Sequence, residues 1–488
     1  MVVNSYSFLL FFVVVFIVYY LPVCKKTPLF QNTWLLLVSY FFYGYADWRM
    51  IPLLLGTTMV FWLIGLWLSH QMEKGNTKAA SRITTFSVIL GIGILLYFKY
   101  LNFFIDSLAE LLQAIGLQVS WTTLNIILPI GVSFFTFKLI SYIIEIHREH
   151  IQPSRDLTEF AAYIAFFPTI LSGPIDRPDK FLPQMKQVHT LDYSLAADGC
   201  RQILWGMFTK MIIADNLAII TNQAWAGYDH LPSTMLLIAA LLYPIQLYAD
   251  FDGYSNMAIG VGKILGYRVN RNFNHPFLAR NMAEFWRRWH MSLTGWITDY
   301  VFMPLNIAFR NIGNTGIILA AMINLTLIGL WHGANWTFGV FGFYHGLLFI
   351  PLIISGAFGK NKKLKENSHG LPFLKDFGKM CLTFCLWALS LVFFRADNIS
   401  QAFGFMYSML TNGLAGASII DTYGKLYILF GLMLLAIEWI QRKQEHALQL
   451  QNFHFLSQRS VRYALYLFII LLIITFTGKS QAFIYFQF

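Results

Sequence analysis

The chain has 488 residues, of which 57% are hydrophobic and 12% charged, and its formal net charge is +11. A soluble globular domain carries roughly 25% charge, so this composition excludes one and specifies a polytopic membrane protein. The basic residues fall in short loops between apolar stretches, and no nucleic-acid-binding motif accompanies them, which excludes RNA or DNA as a partner.

The first apolar stretch, Ser7 to Val23, follows no basic region and lacks a small-residue cleavage site, so it reads as a retained span and not as a signal peptide. Against the ~20 apolar residues needed to cross the hydrocarbon, further candidate spans lie near 33–46, 51–69, 83–100, 124–146, 200–221, 234–250, 314–331, 336–357, 378–394, 424–440 and 461–477. That makes about twelve. Phe160 to Gly173, ending in Ser172-Gly173-Pro174, reads instead as a re-entrant segment, because irregular backbone is tolerated at membrane depth where protein buries it. With no long polar stretch between spans, residues 1–488 are expected to form one all-α transmembrane domain.

Cations cluster at Lys25 and Lys26, at Lys74, Lys78 and Arg82, at Arg148 and Arg155, from Arg268 to Arg288, at Lys360 to Lys365, and from Arg442 to Arg462. The positive-inside rule assigns all six clusters to the cytoplasm. Both termini are then extracytoplasmic, in agreement with an even number of spans. The four cysteines, Cys24, Cys200, Cys381 and Cys385, suggest neither a disulfide framework nor a zinc site, and no metal is expected.

In Ile328-Gly329-Leu330-Trp331-His332-Gly333-Ala334-Asn335-Trp336 a histidine stands inside a membrane-length apolar stretch. Intramembrane ionisable residues are expensive and mark function, although histidines also hydrogen-bond across helices. Gly333 and Ala334 leave room for a substrate, Asn335 can orient a polar group, and burial favours the neutral imidazole that a general base needs. His290, in Phe285-Trp286-Arg287-Arg288-Trp289-His290, is the second candidate. Its neighbours Arg280, Arg287 and Arg288 are either interfacial anchors or the mouth of a cavity that attracts a phosphorylated acyl donor.

Asp250 is open to a role as an ion or proton site, whereas Asp252 is expected to cap the next helix. His147 and His150 lack a third ligand, and His345 is expected to pack.

Leu128 to Phe137, Ser172 to Ile175, Tyr248 to Ser255, Phe285 to Leu293 with Asp299-Tyr300, Leu330 to Trp336, and the ending Phe483-Ile484-Tyr485-Phe486 together resemble bacterial membrane-bound O-acyltransferases of the alginate O-acetylation type. The likeness runs nearly end to end. It implies a multi-helix bundle in the bacterial cytoplasmic membrane, with a cytoplasmic and an extracytoplasmic funnel meeting at a thin septum. It places His332 at the family's catalytic position and His290 at the second functional position, with Trp331, Asn335 and Asp250 around them as pocket residues.

The implied donor is acetyl-CoA or another acyl thioester, used as a co-substrate with no bound cofactor. The implied partners are an extracytoplasmic serine esterase-like protein of the SGNH/GDSL type and a polysaccharide acceptor. No Gly-x-Ser-x-Gly elbow stands in the chain itself. Alginate, cellulose, peptidoglycan and other glycans all remain open as acceptors. Thr337 to Gly346 departs from the family pattern by being bulkier, which reshapes a pocket wall.

Tyr485 is either an interfacial anchor or an acyl relay, since a phenol of pKa about 10 is a better leaving group than a serine alkoxide. The competing readings are a transporter or flippase using His332 and Asp250 as proton carriers, and a scaffold without chemistry.

Overall fold

In the computed structural model the described residues are 1, 3–24, 26–117, 126–359, 372–414, 420–450, 458–478, 481, 483 and 484, with backbone alone at 422 and 423. Every extended element among them is a helix. Among the described residues, eight helical stretches are long and apolar enough to cross a membrane, the longest being Pro28–Glu73 and Thr77–Ala114, and Tyr6–Tyr19 is a shorter apolar helix. The chain is a multi-pass, all-α membrane protein. Its contacts divide it into two compact units, residues 1–200 with 258–270 and residues 201–257 with 271–488.

The first unit is built around the helix Val132–His147, which is buried along nearly its whole length. A span over 124–146 is expected from hydropathy alone, but the helix starts only after Pro129 and after Gly131 at φ 76°. Gly131 is required there twice, because a side chain at positive φ is strained and a Cβ would overlap the Ile170 carbonyl. Sixteen residues rise only about 24 Å, short of a membrane's roughly 30 Å. This is an interior helix. Lys138 on it donates to the Tyr163 carbonyl at 3.3 Å and to Thr169 Oγ1 at 3.1 Å.

Those acceptors belong to the expected re-entrant segment, which forms the short helix Leu157–Ala165 followed by buried turns through Gly173. One carbonyl of the broken backbone and a threonine hydroxyl are thus met by a buried ammonium. His147-Arg148-Glu149-His150 is structural: Arg148 and His150 hold Glu145 at 3.2 and 2.6 Å.

In the second unit, the stretch Arg201–Ala226 and the helix that begins at Ser233 approach backbone to backbone at Gly206 and Gly253. A Cβ on Gly253 would stand 2.8 Å from the Gly206 carbonyl. Helix Ser233–Ile264 runs unbroken through Asp252, so Asp252 does not cap a new helix. It accepts instead from Asn256 Nδ2, one turn on, at 2.7 Å. Helices Gly313–His332 and Trp336–Ile354 form a tight hairpin whose facing positions are Gly329, Gly342 and Gly346. Helix Leu374–Arg395 packs beside it: Ser390 Oγ lies 3.0 Å from the ring nitrogen Nε2 of His345 and donates its own proton to the Trp387 carbonyl at 2.7 Å.

Candidate active site

His332 is the last residue of its helix and is buried. The chain leaves that helix through extended Gly333 and re-enters helix at Trp336, with Asn335 as the cap: its Oδ1 accepts from the Thr337 amide at 3.0 Å. Asn335 Nδ2 donates to the Asp397 carbonyl at 2.7 Å, tying the turn to the end of helix Leu374–Arg395. An N-cap of this kind is worth about 1 kcal/mol. Asn335 therefore fixes the loop that follows His332.

The two histidines both lie against one indole. Trp331 lies 5.0 Å from His332 and 5.7 Å from His290, ring centre to ring centre. Phe394 and Phe341 meet His332 edge to face at 5.1 and 6.2 Å. Phe251 closes on His290 at 4.7 Å.

His290 occupies a left-handed backbone conformation, φ 43° and ψ 52°, between the short helices Met282–Trp286 and Met291–Ile297. A non-glycine residue held there costs free energy and persists where its surroundings over-determine it. Met291 N donating to the Asn272 carbonyl at 2.7 Å and Asn274 N donating to the Arg288 carbonyl at 3.0 Å fix both flanks. Burial pushes the His290 imidazole down to about 3, so it is neutral.

A cavity of about 530 Å³ borders the turn that follows His332, lined by Gly333, Asn335, Phe338 and Phe394. Its polar wall is Lys210, Asp215, Asp250 and Arg395. Sequence reasoning named Asp250 and missed Lys210 and Asp215, which lie in a stretch read as a plain span. Lys210 Nζ stands 2.7 Å from Asp215 Oδ1 and 2.6 Å from Asp250 Oδ1.

Residues five apart on an α-helix point roughly 140° away from each other. Here Thr209–Ala214 is a π-helical turn, in which hydrogen bonds run from i to i+5 and bring Lys210 and Asp215 to one face. The signal that would have found them is a lysine and an aspartate sharing an intramembrane stretch.

The three arginines have other engagements. Arg280 Nε and Arg288 Nη2 grip the two oxygens of Glu284, each at 3.0 Å, while Arg287 Nη1 donates to the Phe358 carbonyl at 3.3 Å. The geometry therefore gives Arg280 and Arg288 a role in folding the His290 loop. Burial raises the Glu284 carboxyl, but hydrogen bonds from Arg280 and the charge of Arg288 outweigh it and hold the group below its ordinary value.

A carboxyl depressed in this way adds stability above the unfolded-state pKa and loses it as pH falls through the lowered one. Glu284→Gln is expected to cost about 1–3 kcal/mol at neutral pH and to flatten the acid limb of the thermal stability profile. An acid limb of unchanged slope would show that this clamp contributes nothing.

A second polar cluster was also missed. His275 Nδ1 lies 2.7 Å from Glu438 Oε2, and Tyr248 donates to Glu438 Oε1 at 2.8 Å. His345 is a packed residue, flanked by Trp286 and Trp387 at 5.3 Å each. Tyr485 lies outside the described residues; its predecessor Ile484 lines the cavity.

Comparison with known proteins identifies the family. Residues 37–369 match the model of the membrane-bound O-acyltransferase family. The chain is 38% identical to the probable alginate O-acetylase of Pseudomonas aeruginosa, over 85% of this chain and 75% of that protein. It is 30% identical to the peptidoglycan O-acetyltransferase of Helicobacter pylori, over 81% and 76%. The teichoic acid D-alanyltransferase of Streptococcus thermophilus shares 33% identity over 54% of this chain and 65% of its own length. This chain belongs to the membrane-bound O-acyltransferase family and is an O-acyltransferase.

Proposed function

We propose that the protein takes an acetyl group from a cytoplasmic thioester, acetyl-CoA, and passes it across the bacterial cytoplasmic membrane for O-acetylation of an extracytoplasmic polysaccharide. The observation that carries this reading is the placement of His332: it is buried beside Trp331, whose ring also meets His290, and the turn that follows it lines a polar cavity. Relatives named for alginate, peptidoglycan and teichoic acid all modify surface polymers by acyl transfer, which supports a glycan acceptor.

In the step itself a hydroxyl oxygen attacks the thioester carbonyl, the new ester C–O bond forms and the C–S bond breaks. His332 takes the hydroxyl proton and returns it to the departing thiolate, so that proton and charge balance. Neutral His290 orients the donor beside Trp331. The basic loops support a donor side in the cytoplasm and termini outside.

The hydroxyl presented to the donor is that of Tyr485, and the acetyl-tyrosine then passes its acetyl to a serine of an esterase-like partner of the SGNH/GDSL type. Two facts support the relay: Ile484, directly before Tyr485, forms part of the cavity wall, and a phenoxide of pKa about 10 leaves more readily than an alkoxide.

The test is peptide-level mass spectrometry after exposure to isotope-labelled acetyl-CoA. Label on Tyr485 that is lost in His332→Ala is the expected result. Tyr485→Phe keeps the ring and removes the hydroxyl, and should abolish glycan acetylation; full acetylation in that variant would sink the relay.

A further inference from the structure

We infer that Lys210, Asp215 and Asp250 form a clamp for the backbone of the chain's own C-terminal segment, and that this clamp sets where the residues after Ile484 are delivered. A lysine ammonium has three donors; Lys210 donates to Asp215 Oδ1 at 2.7 Å and to the Gln481 carbonyl at 3.2 Å, and forms an ion pair with Asp250 Oδ1 at 2.6 Å. The second oxygen of Asp250 accepts from the Ile484 amide at 2.9 Å. All three side chains are at least 95% buried. Two buried carboxylates and one ammonium are thus completed by one backbone carbonyl and one backbone N–H from residues 481 and 484.

Two further contacts align the segment. Asn216 Nδ2 donates to the Phe476 carbonyl at 3.1 Å, and the Phe483 ring stacks on Tyr254 at 4.9 Å. Phe483 also meets Phe251 at 5.9 Å, the ring that closes on His290. The anchoring groups read backbone atoms and one aromatic ring.

Lys210 and Asp250 are therefore positioning residues, not catalytic ones, and their bearing on transfer rests on the relay reading of Tyr485. The test uses the full chain in lipid nanodiscs and measures hydrogen exchange at the amides of residues 481–484 together with glycan acetylation in the partner-reconstituted system. Lys210→Met is expected to raise exchange at least tenfold.

Because that variant leaves two buried aspartates without their cation and can fail to fold, Ile484→Pro is run beside it. It removes the N–H that Asp250 accepts and keeps the ammonium and both carboxylates in place. Ile484→Ala, which keeps the N–H, should stay protected. Exchange within twofold of wild type in both Lys210→Met and Ile484→Pro overturns the clamp. Raised exchange with acetylation lost supports both clamp and relay. Raised exchange with acetylation intact leaves the clamp standing and overturns the relay.

Discussion

His332→Ala is expected to lower acetyl transfer by about 10²- to 10⁴-fold, the range that a positioned general acid–base contributes. The imidazole is packed edge to face against Phe394 and Phe341 and sits at the end of its helix, so the substitution removes a base without disturbing a helical hydrogen bond. Truncating a buried ring of this size costs stability as well, on the order of 1–3 kcal/mol. For that reason the assay pairs labelled-acetyl release from acetyl-CoA with a melting curve on the same preparation. A variant that melts near wild type and has lost transfer identifies His332 as the base. A loss of less than tenfold would take that role away and return His290 to consideration.

Gly342→Ala is the second substitution expected to have a large effect, although it adds a single methyl group. A Cβ at Gly342 would overlap the Leu325 carbonyl and lie 2.7 Å from Thr326 Cα, both main-chain atoms that cannot swing aside. On the other helix, a Cβ at Gly329 would lie 2.7 Å from the Gly342 amide nitrogen. The hairpin must therefore open, and overpacking of this kind costs about 1–3 kcal/mol.

Three residues beyond Gly329, His332 would move with its helix, so activity should fall at least tenfold along with the melting temperature. Gly339 supplies the contrast on the same helix. A Cβ there meets only Leu330 Cδ2 at 3.5 Å, an ordinary contact, and Gly339→Ala should gain about 0.5–1 kcal/mol from helix propensity. Equal melting temperatures for the two alanine variants would refute the close-packing account.

Composition and hydropathy are enough to read an all-α membrane bundle, and the isolated histidine of Trp331-His332-Gly333 is enough to nominate the site. Both readings rest on local rules: the length of an apolar stretch, and the cost of an imidazole within it. Where the rules fail, long-range packing decides. Hydropathy extends a span back to 124, but the backbone conformation of Gly131 starts the helix at Val132. Asp252 has the residue type of a cap, yet lies inside a helix of 32 residues. Arg280 and Arg288 look available to a donor in the sequence, and in the structure they hold Glu284.

Lys210 and Asp215 were not legible because their pairing depends on a local change of helical register, and their third member stands on another helix. The chemistry-bearing residues announce themselves when they are out of place in a stretch. Residues that position them do not, since each is ordinary until its partner is known.

The π-helical turn at Thr209–Ala214 also makes a statement about insertion and deletion. Removing one residue between Lys210 and Asp215 would let the hydrogen bonds close as a regular α-helix, in which the lysine and the aspartate, now four apart, stand only about 40° from each other. The pair would stay on one face, because the extra residue and the wide turn compensate each other. A homologous chain shorter by one residue at this point can therefore hold its last residues with an ordinary helix, whereas a chain that keeps all five steps as a regular helix turns the two side chains roughly 140° apart and loses the handle. Counting residues between the lysine and the aspartate together with the kind of turn that joins them, and not scoring their similarity, is what separates the two kinds of chain.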